Sequence, residues 1–235
     1  MLAPLTFLLV LGPVFAAPEP WPFYLFIASL EQNNQHFCSG VFVKNTRLVL
    51  TPASCLEQLP NLRNIQARPD APPWETYYVR DILIYPSWDK LVLFDNDIAL
   101  LYLHKTPQRA KPLKMGSAGS VSRLRAYALE PKTRRVNVTF LEPVSTDKYC
   151  KSTEAVICAK KYRPDCNSDS GGPVINERYN EVVGLLPVVP WYTCNKDDTQ
   201  AFVRLDNYKD WIEDEYQKLS KKKINKKNKN LNRHG

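Results

Sequence analysis

Glycine is scarce in this chain, at 8 of 235 residues, which excludes a collagen-like protein. Histidine is scarcer, with His36, His104 and His234 alone. Beyond the first residues no stretch approaches 18 consecutive apolar residues, so none reads as a membrane span. No Cys-x-x-Cys or cysteine–histidine cluster is present, so no metal site is expected. Internal repeats, zinc-finger spacing and an RRM signature are also missing. Acidic residues are absent from 218–235, where Lys218, Lys221, Lys222, Lys223, Lys226, Lys227, Lys229 and Arg233 carry eight positive charges. The net charge of +8 is therefore the tail's, and residues 1–217 are formally neutral. The pI near 9.1 does not call for a nucleic-acid-binding body.

What remains is a globular composition, with 44% hydrophobic and 24% charged residues. The length suits one domain or two fused halves. Leu5 to Phe15 is an apolar run interrupted by Pro13, and Val14-Phe15-Ala16 precedes Ala17 as a small-residue cleavage site. It reads as a signal peptide, residues 1–16, too short for a membrane anchor. Export to an oxidising compartment makes the six cysteines a disulfide set, for which 15 pairings are open. Asn137-Val138-Thr139 is the one N-glycosylation sequon.

Short apolar or alternating runs recur between Pro, Asn and Asp: Phe23–Leu30, Gly40–Val43, Leu48–Thr51, Tyr77–Ile84, Asp97–Leu103, Arg123–Leu129, Arg135–Phe140, Ala155–Ala159, Glu181–Val189 and Gln200–Leu205. The pattern predicts an all-β sandwich or barrel. Tyr208, Trp211, Ile212, Tyr216 and Leu219 share one helical face, which predicts a helix over about 207–220. Residues 221–235 read as a disordered, Lys/Asn-rich basic tail. Trp211 is expected to pack that helix on the second half. Arg123, Arg125, Arg134 and Arg135 read as solvent-facing, and Trp74, Trp88 and Trp191 as loop anchors.

Cys166-Asn167-Ser168-Asp169-Ser170-Gly171-Gly172-Pro173 resembles the nucleophile loop of trypsin-like serine proteases. Other segments resemble that family in the same order. His36-Phe37-Cys38-Ser39-Gly40 resembles the strand before the catalytic histidine, and Leu48-Val49-Leu50-Thr51-Pro52-Ala53-Ser54-Cys55 the histidine segment. Asn96-Asp97-Ile98-Ala99-Leu100-Leu101 resembles the aspartate segment, and Phe202-Val203-Arg204-Leu205-Asp206-Asn207-Tyr208 the last strand. The resemblance implies a homologue domain over 17–217 with two antiparallel six-stranded β-barrels. Barrel one would cover about 20–107, barrel two about 108–206, and a C-terminal helix would follow. It also implies the disulfides Cys38–Cys55, Cys150–Cys158 and Cys166–Cys194.

The chemistry asks for a base beside the nucleophile and a carboxylate behind the base. By resemblance Ser170 and Asp97 fill the nucleophile and orienting positions, and the base position holds Ser54, which cannot shuttle a proton near pH 7. No catalytic residue is therefore expected to function. His36 lies near the cleft but not beside the nucleophile; it reads as an ordinary strand-end histidine or a partner for Asp169, as in a family zymogen. Residues 17–22 offer no family-like activation site, so Asp169 lacks its buried ammonium partner. Ser168 and Ser170 fill the oxyanion-hole positions, the former where the family usually has glycine. Pro164, Asp165, Val188 and Gln200 fall at specificity-pocket positions, and Leu185–Pro190 replaces the family's Ser-Trp-Gly stretch, so the pocket reads as blocked. Arg/Lys specificity is not inferred.

The expectation is a secreted, inactive serine protease homologue acting by protein binding, as a cofactor, decoy or regulator of extracellular proteolysis, without a cofactor of its own. Two alternatives stand beside it: a hydrolase using Ser170 with an unconventional base, and a heparin-like polyanion binder working through Lys218, Lys221, Lys222, Lys223, Lys226, Lys227 and Lys229.

Overall fold

The computed structural model describes residues 24–44, 47–70, 72–91, 95–117, 123–130, 132–145, 156–161, 170–188 and 199–231; at 161, 199, 200 and 222–231 it describes the backbone alone. β1 (Ile27–Gln32), β2 (Gln35–Val43), β3 (Leu48–Thr51), β4 (Ile65–Pro69), β5 (Tyr77–Ile84) and β6 (Ala99–Leu103) close barrel one in the order β1-β2-β3-β6-β5-β4. β8 (Leu124–Leu129), β9 (Val136–Pro143), β10 (Val156–Lys161), β11 (Pro173–Asn176), β12 (Glu181–Leu185) and β13 (Thr199–Arg204) close barrel two as β8-β9-β10-β13-β12-β11. β7 (Lys114–Met115) adds to β12 in parallel. A short helix, α1 (Ala53–Glu57), follows β3; a 3-10 turn over Asp206–Tyr208 leads into α2 (Lys209–Leu231).

Local chemistry sets the first hairpin. Asn33 and Asn34 take φ of 52° and 62°, and Gln32 pairs with Gln35 around them. A two-residue hairpin turn needs positive φ at both central positions, and asparagine tolerates it.

All six residues of β1 and all four of β3 are buried, because both faces of these strands are covered. Inside barrel one, Ala28, Leu30, Val49, Ala99 and Leu101 form one cluster. The alternate residues Ile27, Leu48, Leu50, Ile98 and Leu100 face outward, yet are buried against Tyr127, Ile175, Val182, Leu185 and Val203 of barrel two. Leu124, Ala126, Val174, Val183 and Phe202 fill barrel two. This three-part core explains the continuous apolar runs, which alternation alone would not produce. Each large side chain so buried contributes roughly 1.5–3 kcal/mol.

β4, β11 and α1 are absent from the run pattern. β4 offers only Ile65 and Ala67 as non-proline apolar residues, yet it closes barrel one by pairing with β1 and β5. Two further expectations are corrected. The helix does not end near 220 in a disordered tail: α2 continues to Leu231. No glycine or proline interrupts 209–234, and lysine ranks among the good helix formers. Trp211 does not pack α2 on barrel two alone; its ring meets Tyr85, just past β5, edge-on at 5.1 Å. Tyr85 also meets Tyr208 at 4.9 Å, so the helix start rests on barrel one. Among the described residues no helix is long and apolar enough to cross a membrane.

Candidate functional site

Asp97 sits just before β6 and is 4% exposed. Its backbone is held by a local turn: Asn96 has φ of 55°, and Ile98 N donates to the Asn96 carbonyl at 2.8 Å. The Tyr208 hydroxyl, reaching over from the turn before α2, donates to Asn96 Oδ1 at 3.3 Å. Burial and that loss of solvent push the Tyr208 hydroxyl up to about 12, so it stays a donor at physiological pH.

α1 starts after Pro52, whose side chain caps nothing. The exposed N–H groups of its first turn are answered by Asp97. Ser54 N donates to Oδ1 at 2.7 Å, and the Ser54 hydroxyl donates to Oδ2 at 2.7 Å. The nearby Ala53 backbone also favours the ionised carboxylate. Burial is the largest influence on Asp97 and holds its carboxyl above the usual range; the Ser54 donors and the Ala53 backbone oppose it, and Glu57 adds to it. Asp97 thus works as a capping carboxylate for α1, supplied by a distant segment. Cys38–Cys55 ties the same helix to β2.

Ser170 lies on the other side, at the entry to β11, and is partly exposed. Its carbonyl accepts from Ser39 N at 2.7 Å, which joins it to barrel one. Gly171 N donates to the Leu186 carbonyl at 2.7 Å, and Leu186 N returns a bond to the Gly172 carbonyl at 2.8 Å. Gly171 has φ of +87°, and a β-carbon there would collide with the Ser39 carbonyl. At Gly172 a β-carbon would collide with the Tyr127 carbonyl. The Ser39 carbonyl also accepts from the Thr51 hydroxyl at 2.8 Å. The Ser170-Gly171-Gly172 backbone is therefore a seam between the barrels, whatever the hydroxyl does.

Among the described residues no hydrogen bond joins the Ser170 side chain to Ser54 or Asp97. The one hydroxyl proton of Ser54 points at Asp97. His36 Nδ1 lies 2.9 Å from the Ser29 hydroxyl, in the β1–β2 pair. His104 is exposed beside Glu75, Tyr77 and Lys105, past the end of β6. Neither is placed at the Ser54 position; His234 lies outside the described residues.

Of the pocket positions, Val188 is half-buried and packs on the barrel-one cluster that holds Ala53 and Cys55. Leu186, two residues before it, is 2% exposed in the barrel-two core. Gln200 lies in β13 opposite Ala159. Pro164, Asp165, Ser168, Asp169 and residues 189–190 lie outside the described residues, as do the signal segment and Cys166–Cys194. Cys158 is disulfide-bonded, and Cys150 is outside the described residues. Asn137 is exposed in β9. No group of three or more potential metal ligands occurs among the described residues.

One charged group escaped the sequence reading. Arg134, read there as solvent-facing, turns inward: its Nη1 lies 3.6 Å from Glu31 Oε1. Glu31 is 3% exposed, pairs with Arg68 and accepts from the Ser29 hydroxyl at 3.0 Å. The Arg134 guanidinium lies 5.6 Å from the ring centre of Trp74, which is itself exposed. Asp70 completes the group; it accepts from Tyr24 N at 3.3 Å, and burial raises its carboxyl. These residues come from β1, β4 and the β8–β9 turn, and no local pattern announces contacts over such separations. Arg125 pairs with Glu177 and lies over the Phe140 ring.

With this geometry in hand, comparison with known proteins is direct. Residues 12–212 match the family model described as trypsin. The chain is 26% identical to granzyme M of Homo sapiens, covering 64% of this chain and 68% of that one. It is 26% identical to a trypsin of Phaedon cochleariae, covering 80% and 81%. With chymotrypsin-C of Bos taurus the identity is again 26%, over 88% and 89%. Among solved structures, kallikrein-related peptidase 10 in complex with Zn2+ superposes with a TM-score of 0.67 at 21% identity, covering 83% of this chain and 96% of that one. That likeness concerns the fold.

Proposed function

The chain belongs to the trypsin family of serine proteases, and from that premise we propose that it is a catalytically inactive, secreted member acting by protein binding. The observation that carries the reading is the Ser54–Asp97 pair. Where the reaction needs an imidazole, a hydroxyl donates its proton to the carboxylate. A serine hydroxyl is not a base near neutral pH, and loss of the imidazole costs such an enzyme about a million-fold in rate. Val188 adds support, because a side chain at a pocket position packs across onto barrel one. Secretion is supported by the N-terminal apolar segment and by the Cys38–Cys55 disulfide. The partner class is an extracellular protein, an active protease among the candidates, for which this chain serves as cofactor, decoy or regulator.

The test is labelling of purified secreted protein with a serine-directed organophosphonate beside active trypsin, together with peptide and ester turnover. No labelling and no turnover are expected. Labelling that disappears in Ser170→Ala overturns the reading and establishes the alternative, a hydrolase that uses Ser170 with another base.

A further inference from the structure

The tail lysines do not hang on an irregular chain: α2 carries them to Leu231 as one continuous helix. At about 100° per residue, Lys218, Lys222, Lys226 and Lys229 fall within an arc of roughly 80° and climb about 16 Å along the axis. Lys221, Lys223 and Lys227 lie roughly a quarter-turn or more from the middle of that arc. Leu219 is 2% exposed, Lys221 is exposed, and no carboxylate follows Glu215. Lys218 Nζ lies 2.7 Å from Glu215 Oε1, so the row begins with a lysine that has a carboxylate partner.

We propose that the Lys218–Lys222–Lys226–Lys229 face is a docking stripe for a sulfated polysaccharide. A linear polyanion presents regularly spaced charges along one axis, and lysine positions repeated on one face of a helix match that spacing. A lipid surface fits less well. Membrane-surface helices carry a broad apolar face, whereas after Leu219 this helix has Ile224 and Leu231 as its only apolar residues and no aromatic residue. The choice of an extracellular polyanion rests on the export reading; the stripe itself does not. Like charges at i, i+4, such as Lys218/Lys222 and Lys222/Lys226, oppose the helix. A bound polyanion removes that opposition, so binding and helix content rise together.

The experiment uses the full secreted chain and immobilised heparin at physiological salt. Two triple variants each remove three charges at nearly equal helix propensity: Lys222→Gln/Lys226→Gln/Lys229→Gln and Lys221→Gln/Lys223→Gln/Lys227→Gln. The first is expected to raise the dissociation constant about tenfold or more, the second about threefold or less, and added salt to shrink the difference. Heparin is expected to increase the helical circular-dichroism signal of the unmodified chain. Equal weakening in both variants, no retention at all, or tighter binding to vesicles of about 30 mol% phosphatidylserine than to heparin overturns the stripe. Export is scored separately, by recovery from the medium and N-terminal sequencing, so its failure and that of the stripe are read independently.

Discussion

Ser54 and Gly171 face the same region from opposite barrels, and their surroundings ask different things of them. Gly171 has no room for a side chain: its φ is positive, and the Ser39 carbonyl stands where a β-carbon would go. Ser54 has one neighbour to satisfy, the Asp97 carboxylate, and any small donor on the first turn of α1 suffices. The Ser170-Gly171-Gly172 part of the motif is therefore explained by how the barrels meet. It does not by itself argue for hydrolysis, and the base position can change without disturbing the seam.

The strongest way to break this comparison is Gly171→Ala. It is expected to destabilise by about 3–5 kcal/mol or to prevent secretion, measured by chemical denaturation and by yield in the medium. A tolerated alanine would mean the seam is not structural. Next is Asp97→Ala, which leaves the Ser54 hydroxyl and the Ser54 N–H without their acceptor. A loss of about 2–3 kcal/mol is expected, although no chemistry depends on the carboxylate in the inactive reading. Stability equal to that of the parent would remove the capping role.

Ser54→Ala sharpens the comparison by removing one donor and leaving Asp97 in place, for an expected loss of about 1 kcal/mol. It also has a pH signature. The Asp97 carboxyl is raised in the folded state, so the fold binds its proton more tightly than the unfolded chain does. Its contribution is most favourable below the ordinary carboxylate value and declines as pH rises through the raised one. Without the Ser54 donor the carboxyl moves further up, so the decline extends to higher pH. Carboxyl NMR titration of both proteins checks this; an unchanged or lowered Asp97 titration contradicts the assignment. The smallest effect is expected at Lys44→Ala. That side chain pairs with Glu213 and lies 5.7 Å from the Tyr216 ring centre, on partly exposed ground. Less than about 1 kcal/mol should be lost, with the near-UV aromatic signal as a second readout.

Much of this was legible in the sequence where the signal was local. The apolar runs marked most strands, and the order of the quoted segments pointed to the family and to the Cys38–Cys55 bridge, which is formed. What the sequence withheld depended on distant partners. Only the family resemblance, and nothing local to Ser54, set Asp97 behind it from 43 positions away. Arg134 looks like any turn arginine until Glu31 and Trp74 surround it. The end of α2 was misplaced for a different reason: a low-complexity run of lysine and asparagine reads as disorder by composition, while its helix propensity and lack of breakers point the other way.

The crossings between the halves have a kinetic consequence. Ser39 to Ser170, Arg134 to Glu31 and Tyr208 to Asn96 fasten the barrels at three separate points. Bracing at three points opposes a hinge motion between the barrels. A partner should meet a preformed relief, dock as one rigid body on another, and differ between strong and weak versions mainly in how long it stays.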